Sequence, residues 1–329
     1  MTHAAITGIG AYLPERRLTN ADLERLVDTT DEWITTRTGI RERRLAAEGE
    51  ATSDLAARAG LAALGDASLK PADIDLVIVG TSSPDKIFPS TACLAAAKMG
   101  ASCAAVDTMA ACSSFVYALH SATCAIESGR AKRVLAIGAD ALTRHVDFTD
   151  RATCVLFGDG AGAVVLEESS EPGVLGIDLG ADGTRPDILE IPVGGSAAPA
   201  TCERIEQGLH YVKMNGQEVF KFAVRVIPQT TRKALLASHN DVDDLKWLIP
   251  HQANQRILDT VADRLGLPHD RVYSGISTTG NTSAASIPLA VNDLYTCGRL
   301  MYGDLLALVG FGAGLTWGAA IVRWTKEVR

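Results

Sequence analysis

The second half of this chain repeats its first, and that repetition limits the folds open to it more than any other feature. "DIDLVI" (73–78) returns as "DLKWLI" (244–249). "SGR" followed by "VLAIG" (134–138) returns as "CGR" followed by "LALVG" (306–310), and "GDGAGAVVL" (158–166) returns as "GAGLTWGAAIV" (312–322). Three echoes in the same order predict a duplicated α/β unit of about half the chain. β-rich runs at 74–83, 133–140 and 162–167 alternate with helical stretches, the rhythm of layered α/β folds with partly parallel sheets. The polar "EESSEPG" (167–173) carries Pro172-Gly173 and is a natural junction, dividing the chain into halves 1–170 and 171–329.

Composition narrows the function classes. The chain has 329 residues, 47% hydrophobic and 21% charged, as in globular proteins, and its net charge of −8 argues against a general nucleic-acid binder. No basic region precedes the apolar run at the N-terminus, so no signal peptide is read there. The uncharged stretch Thr108 to Ile126 approaches spanning length, but Ser113, Ser114, His120, Ser121 and Thr123 within it predict a buried core helix. The expectation is a cytoplasmic protein without a membrane segment. The seven cysteines (93, 103, 112, 124, 154, 202 and 297) are odd in number and form no C-x-x-C pair. They fit neither a disulfide scaffold nor a metal site, and most are expected to be small buried hydrophobes.

Cys112 stands apart. In "DTMAACSSFVYAL" (107–119) it follows a β-like approach and opens a nearly all-apolar helix predicted over 113–128. Unpaired N–H groups and the macrodipole at a helix start favour an anion, so a thiolate is expected there, with its pKa drawn below the ordinary value of about 8.5. A nucleophilic cysteine also needs a partner base and donors for an oxyanion. His251 follows the strand-like "WLIP" and opens "HQANQRILDTVADRLG", a strand-to-helix junction of the kind at which α/β folds present reactive groups. The alternative for His251 is a helix-capping polar cluster. Asn281, in "STTGNTSAASIPLA" (277–290), falls near the counterpart of Cys112 under the duplication, although Gly-Asn alone is a turn signal. The glycine-rich "GFGAGLTWG" (310–318) follows a strand and can aim backbone N–H groups at an oxyanion. "FGDGAGA" (157–163) is not a dinucleotide site, because "AVVLE" after it reads as a strand, not a helix. The aperiodic segment 184–213 is either a functional cover or a plain surface loop.

Taken together, Cys112, "HQAN" (251–254), "GNTS" (280–283) and "FGAG" (311–314) resemble the β-ketoacyl-acyl-carrier-protein synthase III family of the thiolase superfamily. The likeness runs from "GIGAYLP" (8–14) through "DEWITTRTGIRER" (31–43), "FPSTACL" (88–94) and "DRATCVLFGDGAGAVVL" (150–166) to the C-terminus. The resemblance implies a thiolase-like five-layered α-β-α-β-α fold and a homodimer. It also implies decarboxylative condensation of an acyl-CoA primer with malonyl-acyl carrier protein, the start of fatty acid synthesis, with no cofactor because acyl-CoA is a substrate. By resemblance, Cys112 carries the acyl group, and His251 and Asn281 hold the malonyl thioester carbonyl. The backbone amides of Cys112, Gly312 and Ala313 form the oxyanion hole. Trp33 and Arg151 sandwich the adenine of CoA, with Arg37 near its phosphates. Phe88 reaches across the dimer to the partner's acyl pocket, and Lys221 and Arg256 meet the acidic carrier protein.

The chain departs from the family pattern twice. Ser114 stands where the family has glycine, and Ala313 interrupts a triple glycine; both are expected to narrow the acyl channel. Three rival functions remain open: a related acyltransferase or condensing enzyme of secondary metabolism; a cysteine hydrolase, since Cys-His-Asn also occurs in papain-like enzymes; and a non-catalytic carrier-binding protein.

Overall fold

The computed structural model describes residues 2–326. Two sheets carry the repeat. The first has the order His3–Tyr12, Gly160–Ser169, Arg133–Asp140, Leu76–Gly80, Ala104–Thr108. Its successive pairings are antiparallel, antiparallel, parallel and parallel. The second has the order Val174–Ala181, Thr316–Arg323, Leu305–Gly312, Trp247–Pro250, paired antiparallel, antiparallel and parallel. Where the first sheet has its fifth strand, the second has a single parallel bridge between Leu248 and Val272. The strands fall where the sequence predicts them: 133–140 is matched residue for residue, and Leu76–Gly80 and Gly160–Ser169 overlap the other two runs.

Helices fill three layers around the sheets. Thr52–Asp66 and Thr91–Met99 cover the outer face of the first sheet, and Gly216–Ala237 covers that of the second with Gln255–Leu265 beside it. Ser114–Glu127 and Ser286–Thr296 lie between the sheets and contact strands of both. This is the α-β-α-β-α order. The stretch of near membrane-spanning length is thus a core helix, with Phe115, Val116, Ala118, Leu119, Ala122 and Ile126 wholly buried. An element buried on both faces needs apolar residues all round, and that explains the composition. Among the described residues no helix is long and apolar enough to cross a membrane.

Most of the cysteines contradict expectation. Cys112 and Cys154 are buried, Cys103 is intermediate, and Cys93, Cys124, Cys202 and Cys297 are exposed; all seven are free. Cys124 shows why: it lies on the side of the middle-layer helix that reaches solvent beside His120, 3.7 Å away. The strand Ala104–Thr108 closes one side of the first sheet, with Ala104 and Val106 exposed.

Candidate active site

Cys112 lies in a one-turn 3₁₀ segment, Ala111–Ser113, directly ahead of the middle-layer helix. The preceding residue, Ala111, is held at φ +47°, a left-handed conformation that costs a non-glycine residue about 1–3 kcal/mol. The turn is tied down on both sides. Ser114 Oγ accepts the Ala110 N–H at 2.8 Å and donates to Ala111 O at 2.7 Å. Ser113 and Thr316 link the halves through their hydroxyls at 2.9 Å. The strand Leu305–Gly312 ends against this turn. A Cβ on Gly312 would lie 2.6 Å from Cys112 N, and one on Gly310 would lie 2.8 Å from Ser113 Cα. Only glycine lets the two backbones meet there.

His251 follows the last residue of Trp247–Pro250. Its N–H donates to Val309 O at 2.7 Å and extends the parallel pairing, which sets it one strand away from Gly312. Asn281 comes from the second half but is positioned by the first: its N–H donates to Leu156 O at 2.9 Å, and Gly158 N–H donates to Asn281 O at 2.9 Å. Its side-chain Oδ1 accepts the Ser283 N–H at 2.9 Å, which leaves the Nδ2 donors for a ligand.

Cys112, His251 and Asn281 line one cavity of about 360 Å³, together with Phe157, Phe220, Phe311 and Gly312. They are 7%, 1% and 6% exposed. A second cavity of about 410 Å³ meets the first at Cys112 and is walled by Leu142, Phe157, Leu189, Ile191, Val212 and Ala313, among others. Cys112 therefore sits where two largely apolar chambers join. The aperiodic segment 184–213 supplies Leu189, Glu190, Ile191 and Val212 to these walls, so it is a cover and not a free loop.

Electrostatics correct one expectation. Burial pushes the Cys112 thiol up to about 12, with the Asp140 charge adding to the rise; a hydrogen bond from Ser283 and the cysteine's own amide pull the other way and lose. The helix end favours a thiolate, but this deep in the protein it does not offset the loss of water. Burial pushes His251 down to about 3 against the pull of the Ser283 carbonyl. Near neutral pH the resting pair is thiol and neutral imidazole.

Ser114 is the second correction. It is fully buried and lines neither cavity. Residues two apart on a helical path point about 200° apart, so a side chain at 114 faces away from that of Cys112. Ala313 does line the second cavity. Gln252, Ser283, Ser286 and Asp140 were not singled out from sequence. Ser286 Oγ is 2.7 Å from His251 Nδ1, and Gln252 braces the loop through Pro250 O at 2.7 Å. The signal for Asp140 is a carboxylate closing the apolar run Val134–Ala139.

The outer residues form separate groups. The Arg37 and Arg151 guanidinium carbons lie 4.6 and 5.0 Å from the centre of the Trp33 ring. Arg256 lines the mouth of the first cavity, 5.6 Å from the Phe220 ring. Lys221 does not line it and pairs with Glu218 at 2.8 Å. Phe88 is 82% exposed beside Ile87 at 84%. Among the described residues no group of three His, Cys, Asp or Glu side chains could hold a metal ion.

Two sheets, five layers and a cysteine at the junction of two chambers define a thiolase-fold enzyme. Comparison with known proteins gives the family. The family model described as "3-Oxoacyl-[acyl-carrier-protein (ACP)] synthase III" matches residues 106–183, and its C-terminal counterpart matches 235–324. The chain is 53% identical to the Beta-ketoacyl-[acyl-carrier-protein] synthase III of Roseiflexus castenholzii, over 98% of each chain. Among solved structures it is similar to the 3-oxoacyl-(acyl carrier protein) synthase III of Pseudomonas aeruginosa (TM-score 0.91, 42% identity, 99% and 100% of the two chains). It is likewise similar to that of Aquifex aeolicus (TM-score 0.90, 44% identity, 98% and 100%). The chain belongs to the β-ketoacyl-acyl-carrier-protein synthase III family, and this sets aside the papain-like hydrolase.

Proposed function

We propose that this enzyme condenses an acyl-CoA primer with malonyl-acyl carrier protein, releasing CO2, and so starts fatty acid synthesis. The observation that carries the reading is that Cys112, His251 and Asn281 border one largely apolar cavity. In the first half-reaction Cys112 Sγ attacks the primer's thioester carbonyl. The carbon–sulfur bond to CoA breaks, and the thiol proton leaves on the CoA sulfur. The amides of Cys112 and of Gly312 and Ala313 hold the transient oxyanion.

In the second half-reaction the malonyl thioester oxygen accepts from Asn281 Nδ2 and from His251 Nε2, the nitrogen that Ser286 leaves free. Breaking the carbon–carbon bond to the carboxylate frees CO2 and leaves an enolate whose charge sits on that oxygen. Its carbon attacks the acyl group on Cys112, forming the new carbon–carbon bond and releasing the sulfur as thiolate, which takes a proton from solvent. A neutral imidazole suits this step, because it donates without holding the substrate carboxylate as an ion pair. The electrons for the new bond come from the bond that decarboxylation breaks, so no redox cofactor or metal is called on.

The outer groups fit the same reading. Trp33 with Arg37 and Arg151 offers a stacking platform and positive charge for the CoA nucleotide. Arg256 at the cavity mouth and Lys221 on the nearby helix suit an acidic carrier domain. Phe88 and Ile87 suit burial against a second copy of the chain, next to the strand Ala104–Thr108, whose Asp107 accepts the N–H groups of Thr91 and Ala92. We further infer two thiolase-like halves, 1–170 bearing the nucleophile and 171–329 bearing His251 and Asn281, working as a cytoplasmic homodimer.

The test is a two-stage incubation. Acyl-CoA alone should add one acyl mass to the protein at Cys112, and malonyl-acyl carrier protein should then release CO2 and the β-ketoacyl product. An adduct on another residue, or loss of the acyl group to water in place of extension, would overturn the assignment.

A further inference from the structure

Ser283 is buried and held at φ +50°. A serine in that conformation is strained unless its surroundings impose it. Its N–H is held by Asn281 Oδ1, and the turn it opens is held by Asp140, wholly buried at the end of the strand Arg133–Asp140. Oδ1 of Asp140 accepts from Thr81 Oγ1, Ser82 N, Ser83 N and Ser83 Oγ at 2.7–2.9 Å. Its Oδ2 accepts the N–H of Ala284 at 3.0 Å, which fastens the 283–285 turn of the second half onto the first. The Ser283 hydroxyl stands 3.4 Å from Cys112 Sγ as a donor and also hydrogen-bonds the Asp140 carboxylate, so its one proton serves both acceptors until charge gathers on the sulfur. The family reaction assigned above uses neither Ser283 nor Asp140.

We propose that Ser283 is a further catalytic residue, donating its hydroxyl hydrogen bond to Cys112 Sγ when negative charge gathers on that sulfur, and that Asp140 is the positioning residue holding the turn. This deepens the proposed function and rests on Cys112 as its nucleophile. Charge reaches the sulfur twice: as the thiol gives up its proton to attack the primer, and as the acyl group leaves it for the new carbon–carbon bond. At a sulfur this buried, one fixed donor replaces water that the ion would otherwise need. No proton changes hands. The hydroxyl keeps its hydrogen, and the thiol proton still leaves on CoA.

The test is alkylation of the full-length protein by iodoacetamide from pH 7 to 9.5, with Cys112 followed by mass spectrometry. Asp140 and His251 are the titratable groups bordering Cys112. His251 is neutral throughout this range; losing the Ser283 hydrogen bond raises the Asp140 pKa, which weakens its repulsion of the sulfur and speeds alkylation, opposite in sign to the predicted loss. Ser283→Ala removes the hydroxyl; Ser283→Gly removes it and also relieves the backbone. A lost hydrogen bond to an ion lowers the thiolate fraction about 10- to 100-fold, and the greater nucleophilicity of the more basic sulfur returns about half of that on a logarithmic scale. Both variants should therefore alkylate about three- to tenfold more slowly at every pH, with unchanged slope. Wild-type rates in both variants would overturn the proposal. So would a loss in the alanine variant that glycine restores, since that pattern reports backbone strain. Alkylation needs no substrate: failure of acyl-CoA to load wild-type Cys112 would count against the proposed function, whereas a null result in the variants counts only against Ser283.

Discussion

Ser286 Oγ stands 2.7 Å from Nδ1 of His251 and 2.8 Å from the carbonyl oxygen of Ser283. The hydroxyl has one proton for these two partners. When it donates to Nδ1, the imidazole carries its own proton on Nε2 and can donate to a thioester oxygen. When it donates to the Ser283 carbonyl, Nδ1 keeps the proton and Nε2 faces the cavity as an acceptor. Ser286, together with the Ser283 carbonyl that also draws the imidazole proton, thus biases which tautomer the substrate meets. Ser286→Ala is expected to lower the decarboxylation rate about tenfold, the worth of one hydrogen bond of about 1.4 kcal/mol. The rate of Cys112 acylation should hold within about twofold, since no proton on His251 is used there. Equal losses in the two half-reactions would refute the role.

His251→Ala and Asn281→Ala should each cost about 10²–10³ in CO2 release, the usual loss for one donor to a developing oxyanion. Acyl loading from acyl-CoA should survive in both, because the donors proposed for that step are backbone amides. Intact-protein mass after exposure to acyl-CoA separates the steps. A variant that cannot be loaded would place its residue in the first half-reaction.

Trp33 lies within 5.0 Å of two guanidinium groups at the surface. Replacing it with alanine removes a stacking face worth about 1–3 kcal/mol per base. The KM for acyl-CoA should rise about tenfold, with kcat little changed and the KM for the malonyl-carrier substrate, which has no adenine, nearly constant. A matching rise for both substrates would contradict adenine stacking.

Burial of His251 makes stability depend on pH with a defined sign. Its folded pKa is about 3 against an ordinary value of 6.5. Its contribution is complete above the ordinary value and is lost as pH falls toward the folded one, because the unfolded chain takes up the proton first. Between pH 7 and 5 wild type should lose about 2 kcal/mol more unfolding free energy than His251→Gln, which cannot titrate. Denaturant unfolding at the two pH values measures this, and identical losses would rule out a buried neutral imidazole.

The repeat was legible because strands on corresponding positions keep their apolar runs and glycines. Arg133–Asp140 and Leu305–Gly312 hold the same place in their sheets. Cys112, His251 and Asn281 could be singled out because each interrupts a pattern at an element's end. Ser283 and Ser286 could not, since a hydroxyl in a run of small residues carries no period, and their partners lie far away in sequence. The state of the thiol was misjudged for a related reason: local sequence gives the helix end, while burial depends on everything packed around it. The turns themselves preserve a trace of the duplication that composition hides. Ala111 and Ser283 take the same unusual backbone angle, +47° and +50°, at the entry to equivalent helices, although their side chains differ.

The two sheets are not equivalent at their rims. One ends in a full strand, Ala104–Thr108, while the other dwindles to a lone bridge at Val272. A copy docking on that rim by a two-fold rotation presents the same strand in return. In the homodimer proposed above, docking through Ala104–Thr108 would spend on the first partner the one parallel rim that the second sheet does not duplicate.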